Sequence, residues 1–361
     1  MTNFAEKYIF NCSALLITTD LEPDDVIALQ ILFKKLKEAS FHKPIMVIVG
    51  EGDPSLKLFR MNMYANLFAP QLKMEVLQGI GSDRFYSQDG QEFFTPECIN
   101  SIRDSMPYSE KSLLEKIKQF LTFHFHHTTI INLKPPRELI KIWLEDNELF
   151  DNTIFLGYMG FNLRCLLEHY EKNCIQDFLN SFKKVMYYEC SMAIGRNNNI
   201  SSKDGFNFGM LPGYIEKLMQ MWNQELHKEC SEIVRNFQWF DPNWAVKLNE
   251  SGLQTYLEHE TNPNFRNILA RNFKVMKDIK EADFVQFVNA DTGLIISLFL
   301  NLDDVSFYKG DLTIDKLGIG QPIKNESGKH IFIHNVDDIN KAIFRNQQLQ
   351  FLIDFYKLTN S

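Results

Sequence analysis

A short acidic turn is the part of this sequence whose residue types and spacing point to chemistry. The stretch ALLITTDLEPDDVIALQILF, residues 14–33, runs from an apolar segment into a helical pattern, and the turn between them holds Asp20, Glu22, Asp24 and Asp25. Like charges this close repel one another and favour protonation, unless a cation lies among them or a helix N-terminus satisfies them. The turn is therefore either an acidic helix start or a set of oxygen ligands for a metal ion.

The position expected for this turn favours a site. Ligands of open α/β sheets bind beyond the carboxyl ends of the strands, and the turn follows an apolar run that is typical of a buried strand. Asp24 and Asp25, if adjacent on a helix, project about 100° apart around its axis. One of them could then face a metal ion while the other faces a molecule bound to that ion.

The composition is that of an acidic globular protein. The 361 residues are 45% hydrophobic and 13% aromatic, which is ample for a large core. A net charge of -8 argues against a broad nucleic-acid surface, so we expect a small molecule or another protein as partner. No apolar run reaches the ~18 residues of a membrane span, and the N-terminus lacks a signal-peptide pattern, which predicts a cytoplasmic protein that does not bind membranes. The six cysteines are scattered, without the spacing of a zinc site or a disulfide framework.

Alternating strand and helix patterns predict the fold class. Apolar runs typical of buried strands occupy residues 13–18, 44–50, 73–79, 152–160 and 183–189. Helical periodicity separates most of them, as in residues 24–39 and 135–150. This order predicts an α/β protein with a Rossmann-like, open, mostly parallel sheet that carries helices on both faces.

The sequence between these elements shows no sign of a domain boundary. No linker, charge block or repeat divides the chain, which predicts a single domain over residues 1–361. Residues 213–280 have a mainly helical pattern and are predicted to form a cap or insert over the active edge of the sheet. Residues 328–356 predict an alternating strand followed by a closing helix.

Three segments resemble the calcium-dependent, inosine-uridine preferring nucleoside hydrolases. Their opening signature is a strand, then Asp-x-Asp-Pro-Gly-x-Asp-Asp and a helix, and TTDLEPDDVIAL is similar at Asp20, Asp24 and Asp25. LGYMGFNLRCLL, residues 156–167, looks like the family turn that offers a main-chain carbonyl, here from Phe161 or Gly160. VNADTGLIISLFL, residues 288–300, resembles the late segment of the family that supplies a further acid, with Asp291 in its place.

Two weaker similarities involve segments that contact the ribose of the substrate in this family. Residues 49–62 resemble the second strand and turn of the family, with Asp53 where an Asn usually contacts ribose. Residues 187–207 resemble its ribose-binding loop, with Asn199 and Asn207 at matching spacing and Gly205 where a Glu normally binds the 5'-hydroxyl.

The resemblance implies an N-ribohydrolase of the nucleoside hydrolase fold. Its cofactor would be one Ca²⁺, bound by Asp20, Asp25, Asp291 and the carbonyl near Phe161. Asp20 would act as the base that activates a water molecule, and Asp24 would hold a ribose hydroxyl. The substrate would be a nucleoside or a 5'-substituted nucleotide, and relatives are commonly homodimers or homotetramers.

Departures from the family pattern leave a second hypothesis. Thr18 replaces the first Asp, where a hydroxyl could still form a hydrogen bond, and Ala290 replaces a His that in some members helps protonate the leaving base. Tyr86, Tyr187 or Tyr188 could serve instead if they lie near the site. Without such a donor the chain would be a catalytically inactive calcium or ribose binder of the same fold. A phosphohydrolase with an Asp nucleophile is a third hypothesis, although the TTD segment lacks the first acid of the usual Asp-x-Asp start.

Two other groups have simpler interpretations. FHFHHTT holds His124, His126 and His127 without an acid to complete a metal site, so we interpret them as helix-end or surface histidines. The aromatic residues of FQWFDPNW could stack on a base, but such residues more often pack a core or a lid.

Overall fold

The computed structural model describes residues 3–21, 23–81, 96–157, 169–188, 291–305, 307–314 and 320–333. The strands are β1 Ala14–Thr19, β2 Ile45–Val49, β3 Met74–Gln78, β4 Thr128–Asn132, β5 Ile154–Gly157, β6 Lys184–Tyr188, β7 Phe307–Ile314, β8 Gly320–Lys324 and β9 His330–Ile333. The helices are α1 Phe4–Tyr8, α2 Pro23–Glu38, α3 Pro54–Phe68, α4 Pro96–Ser105, α5 Glu110–Phe123, α6 Arg137–Glu145, α7 Lys172–Ser181 and α8 Asp291–Phe299, with 3₁₀ turns at Asn147–Phe150 and Leu302–Asp304.

Within the described ranges the strands form one sheet in the order β3-β2-β1-β4-β5-β6-β9-β7-β8. The neighbours from β3 to β9 pair in parallel, and β7 pairs antiparallel with both β9 and β8. This arrangement confirms the predicted fold class. None of the described helices is both long and apolar enough to cross a membrane.

Helices cover both faces of the sheet, because the parallel strands are apolar on both sides. Alternate residues of β1 illustrate this: Leu15 and Ile17 pack with α1, α2, α3 and α8 on one face, whereas Leu16 packs with α5, α6 and α7 on the other. We call these the α2 face and the α6 face. On the α6 face, Phe150, Phe155, Phe178 and Phe182 form edge-on or tilted ring contacts in a fully buried cluster.

The sequence-based strand prediction was incomplete in one important place. Six of the strands, β1, β2, β3, β5, β6 and β9, lie where apolar patterns predicted them. The pattern analysis missed β7, β8 and, above all, β4, which is the direct neighbour of β1. β4 is five residues long, has two threonines and an asparagine, and follows a histidine-rich turn, so its apolar signal is weak. The predicted cap at 213–280 and the closing helix lie outside the described residues.

A buried ion pair connects three strand ends at the carboxyl edge of the sheet. The ammonium of Lys134, just after β4, donates to Glu138 Oε2 at 2.6 Å, and both side chains are fully buried. The other carboxylate oxygen of Glu138 accepts from the backbone N–H of Ile80, beyond β3, at 2.7 Å. A Cβ on Gly50, beyond β2, would lie 2.9 Å from Lys134 Nζ, so only glycine fits there without displacing the lysine. The pair therefore fixes the ends of β2, β3 and β4 relative to one another.

At the opposite edge, His330 begins β9 and is buried against α7. Its Nε2 lies 3.1 Å from Asn180 Oδ1. Burial lowers the pKa of His330 to about 4, and the positive charges of Lys329 and Lys184 act in the same direction. The charge of Asp311 opposes this shift. The folded protein therefore holds this imidazole neutral throughout the physiological pH range.

Removing one member of the buried pair should cost far more stability than removing both. Glu138→Gln keeps an acceptor for Ile80 N–H but leaves Lys134 buried without its countercharge, and we expect a loss of about 3–5 kcal/mol of unfolding free energy in urea titrations. Adding Lys134→Met should recover most of that loss. Glu110→Gln, which breaks the partly exposed pair with Lys141, is the matched control and should cost at most ~1 kcal/mol. A double variant no more stable than Glu138→Gln contradicts this account.

Folding stability should depend on pH through His330. In the unfolded chain this imidazole has a pKa of about 6.5, above that of the folded state, so the unfolded chain binds a proton more readily. The free energy of unfolding should therefore fall by up to ~3 kcal/mol as the pH drops from about 6.5 towards 4. His330→Gln should flatten this slope, whereas His42→Gln, at an exposed histidine, should leave it unchanged. Urea unfolding across this pH range measures the effect, and equal slopes for wild type and His330→Gln would exclude it.

Candidate functional site

The sheet contains a crevice where its strand order reverses. From β1 the chain proceeds to β2 and β3 on one side, whereas β4, β5 and β6 follow one another on the other side. The turns after β1 and β4 thus start on neighbouring strands and lead away from each other. This arrangement creates ligand sites in open α/β sheets. They remain adjacent at their start, since Leu133 N–H donates to Thr18 O at 2.8 Å. The acidic turn therefore lies at the predicted edge and at the switch point.

Local hydrogen bonds fix the backbone and one carboxylate of the acidic turn. The Thr19 hydroxyl donates to Asp25 Oδ1 at 2.5 Å and accepts from Leu21 N–H at 3.0 Å. Leu21 has a φ of 53°, a left-handed conformation that is uncommon for a branched side chain, although its side chain is buried. The surrounding contacts hold the turn in this strained form and aim Asp25 back towards the end of β1.

Of the four acids predicted for the metal ion and for catalysis, three have described side chains. Asp25 is fully buried, Asp291 is 5% exposed and Asp20 is partly buried. Asp25 lies in the first turn of α2 and Asp291 begins α8, and these two helices pack against each other on the α2 face. Buried carboxylates at helix N-termini gain from the helix dipoles but need further positive charge or hydrogen bonds to offset their desolvation.

The donor chemistry at this position fits a hard cation only in part. Carboxylate oxygens are the ligands that Ca²⁺ prefers. Among the residues that the structure describes, however, no three side chains of His, Cys, Asp or Glu form a group that could hold a metal ion. The side chain of Asp24 and the turn that contains Phe161 lie outside the described residues. The calcium ligand set therefore stays a prediction.

Thr18 and Asn132 form a polar bridge between β1 and β4. The Thr18 hydroxyl donates to Asn132 Oδ1 at 2.7 Å, and Asn132 Nδ2 donates to Lys134 O at 2.7 Å. The expectation that the hydroxyl of Thr18 forms a hydrogen bond is thus confirmed. Since both side chains are fully buried, this bridge fixes the two strand ends that flank the crevice.

Asp53 has structural partners for both carboxylate oxygens. Its Oδ1 caps α3 by accepting from the N–H groups of Ser55 and Leu56, and its Oδ2 accepts from Arg103 Nε at 2.6 Å. The preceding residues Glu51 and Gly52 have φ values of 59° and 53°. The predicted contact of Asp53 with ribose stays a prediction, since the observed bonds describe a helix cap in a tightly bent loop.

The sequence analysis missed the polar residues that follow β4. Arg137 Nε donates to Glu51 Oε1 at 2.7 Å, which links the start of α6 to the loop after β2. Together with Asn132, Lys134 and Glu138, Arg137 belongs to the segment NLKPPRE. The available signal was a cluster of polar residues directly after a short apolar strand. It went unused because β4 itself was not recognised.

β4, rather than β5, is the strand that pairs with β1. The predicted carbonyl donor Phe161 follows β5, and β4 lies between β5 and β1. Phe161, Gly160, Asn199, Gly205 and Asn207 all lie outside the described residues, as do Tyr86 and the aromatic group near residue 240. These assignments therefore stay predictions.

The histidine cluster lies at the other edge of the sheet. His124 is the C-cap of α5, and His126 and His127 precede β4, so all three belong to the amino edge. Burial lowers the pKa of both His124 and His127. The C-cap position of His124 is the helix end at which it was expected.

Comparisons with known proteins identify the fold. No family model matches the chain, and no curated protein does. Among solved structures, a purine-preferring ribonucleoside hydrolase from Gardnerella vaginalis has a TM-score of 0.50 at 10% identity, with 96% of this chain and 99% of that chain covered. An inosine-uridine preferring nucleoside hydrolase from Bacillus anthracis has a TM-score of 0.47 at 10% identity, with 95% and 99% covered. A plant nucleoside hydrolase has a TM-score of 0.48 at 9% identity, with 93% and 98% covered.

At such low identity the similarity concerns the backbone. The similarity to the Gardnerella vaginalis structure extends over nearly the whole of both chains. The chain therefore has the nucleoside hydrolase fold, an open, mostly parallel α/β sheet with helices on both faces.

Proposed function

We propose that the protein is an N-ribohydrolase that cleaves the N-glycosidic bond of a ribonucleoside or a 5'-substituted nucleotide. The observation that carries this proposal is the position of Asp20 and Asp25 at the switch point between β1 and β4, with the Thr19 hydroxyl bound to Asp25. In this fold a ligand at the switch point meets the carboxyl ends of both strands.

The residues at the crevice suit the demands of that reaction. As the bond to the base breaks, the ribosyl group gains positive charge, which carboxylates stabilise in a site that excludes water. Asp20 is partly buried rather than fully buried, so it is accessible to a water molecule whose proton it can accept. Asp24, the adjacent acid in the sequence, is proposed to bind a ribose hydroxyl.

A calcium ion is part of the proposal. Asp20, Asp25, Asp291 and a carbonyl near Phe161 would bind it, since carboxylate and carbonyl oxygens are the ligands that Ca²⁺ prefers. When bound, the ion would supply charge that offsets the repulsion between the carboxylates and makes a neighbouring water molecule more acidic.

One observation favours an alternative, a catalytically inactive binder of calcium or a ribosyl group. Ala290 stands where a His of some nucleoside hydrolases is expected to protonate the leaving base, and alanine has no group that could do so. An inactive protein should still bind calcium and nucleoside, so binding and turnover distinguish the two functions.

Hydrolysis should depend on Asp20. We expect wild type to release free ribose, or ribose 5-phosphate, from at least one member of a panel of ribonucleosides and their 5'-monophosphates, and a calcium chelator should abolish that release. Asp20→Asn should reduce kcat by at least ~100-fold with little change in KM, because an amide cannot accept the proton of water. Asp146→Asn, at an exposed acid in the C-cap of α6, is the control and should behave as wild type.

The possible outcomes separate the hypotheses. Calcium and nucleoside binding without turnover would establish the inactive binder. Release of inorganic phosphate from a monophosphate, with the glycosidic bond intact, would indicate a phosphohydrolase. Near wild-type turnover in a folded Asp20→Asn would remove Asp20 from the role of base.

Calcium binding should depend on Asp25. Titration calorimetry should detect one calcium ion per wild-type chain and much weaker binding to Asp25→Ala. Calcium at ~100 times its Kd should stabilise wild type by about 2.7 kcal/mol, seen as a higher Tm, and should have little effect on the Tm of the variant.

Asp53→Ala is the matched control for that experiment. It removes an equally buried acid that caps α3, so it should lower the starting Tm while keeping the response to calcium. Equal calcium binding by wild type and Asp25→Ala would exclude the proposed site.

A further inference from the structure

A group of lysines lies at the amino edge of the sheet, opposite the proposed catalytic edge. It comprises Lys7 of α1, Lys184 at the start of β6, Lys309 of β7 and Lys329 just before β9, and we call it the lysine cluster. Lys184 is partly buried, whereas the other three are exposed. None of them belongs to the region proposed above to bind a nucleoside.

The sheet register brings three of these lysines together. Met186 of β6 pairs with Ile331 of β9, so Lys184 and Lys329, each two residues earlier, lie opposite one another on adjacent strands, on the order of 5 Å apart. Their contact is direct, since Lys184 Nζ donates to Lys329 O at 3.5 Å. On the other side of β9, Lys309 pairs with Ile331, so it lies about 10 Å from β6 across two strand spacings.

The side chains of Lys184 and Lys309 share one face of the sheet. Side chains alternate along a strand, so Lys184 projects with Met186, and Lys309 projects with its partner Ile331; both of these apolar residues belong to the α2 face. α1 covers that face at the same place, where Phe4 contacts Phe307 with ring centroids 5.1 Å apart. The exposed Lys7 lies on α1, and its charge acts on Lys184.

The charges of this cluster are not neutralised within it. In the described part of the chain, none of the four lysines has a carboxylate within 4.0 Å of its ammonium group. Lys329 Nζ instead donates to Asn180 O, at the C-terminal end of α7, at 2.6 Å, and burial lowers the pKa of Lys329 against the opposing charge of Asp151. Burial, together with the charges of Lys7, Lys309 and Lys329, lowers the pKa of Lys184.

Such an arrangement is unfavourable in the free protein. Lys184 and Lys309 project from the same face of the sheet, and like charges that are neighbours on a sheet destabilise it. Among the described residues, these lysines therefore repel one another without a carboxylate in contact to offset the repulsion. A bound anion would relieve the repulsion between the lysines and satisfy the donors of the partly buried Lys184.

We propose that the lysine cluster is a binding site for a compact, multivalent oxyanion, such as a diphosphate or triphosphate group. By the sheet register, the backbone positions of Lys184, Lys309 and Lys329 lie within about 10 Å of one another, which suits a few linked phosphate groups rather than a long polymer. The acidic charge of the remaining surface repels an extended polyanion such as nucleic acid. This site is separate from the proposed catalytic edge, so it does not depend on the ribohydrolase proposal.

Tripolyphosphate is the probe that tests the site. Titration calorimetry of the full chain should show one binding site, and Lys184→Met should weaken the affinity by about tenfold or more, since a charge-assisted contact is lost. Lys309→Gln, at an exposed position that should not affect folding, should weaken it similarly. Lys111→Gln changes the net charge equally at a side chain that is 87% exposed on α5, and it should bind as wild type.

Stability provides a second readout. Without ligand, Lys184→Met should be at least as stable as wild type, because it removes a source of repulsion. Tripolyphosphate should raise the Tm of wild type and have little effect on that of Lys184→Met. Absence of binding to wild type, or equal weakening by Lys111→Gln and Lys309→Gln, would overturn the proposal. Tighter binding of a single-stranded oligonucleotide than of tripolyphosphate would also overturn it, in favour of a polymer surface.

Discussion

The parallel pairing of β1 with β4 is the constraint on which the candidate site depends. It places the strand that ends in the acidic turn beside the strand that ends in NLKPPRE, while the chain leaves these two strands in opposite directions. A crevice forms there without any special residue, because the helices that follow must separate to cover the two faces of the sheet. The buried bond between Thr18 and Asn132 then fixes the strand ends, and the hydroxyl of Thr19 orients Asp25 beside them.

Burying polar groups near this crevice costs free energy because they lose their hydration. Ion pairs between specific residues offset this cost. Lys134 and Glu138 are buried as an ion pair, Glu51 binds Arg137 and Asp53 binds Arg103. These pairs connect the loops after β2, β3 and β4 to α4 and α6. A network of this kind adds little net stability, but removing any one of its members strongly destabilises the fold. It therefore favours one arrangement of the loops. The position of the acids is therefore set by their neighbours as much as by their own turn.

The two edges of the sheet have different electrostatic characters. The carboxyl edge carries acids from the ends of β1 and the start of α8, whereas the amino edge carries the lysine cluster and the histidines before β4. In a parallel sheet all strand starts lie together, so basic residues that are far apart in sequence, such as Lys184 and Lys329, become neighbours. The polarity of a parallel sheet thus brings charged residues from distant parts of the chain together at one edge.

The sequence by itself determined the α/β class, most of the strands and the acidic turn, because these depend on local patterns: apolar runs, helical periodicity and carboxylates at a helix start. Only the tertiary structure decided that β4 is the neighbour of β1, that Asp53 is a helix cap bound to Arg103, and that Lys134 and Glu138 connect three strand ends. Strand order and ion pairs between segments depend on contacts between residues far apart in the chain. A periodic pattern carries no information about such partners, and a short strand such as TTIIN has too weak an apolar signal to reveal its own position.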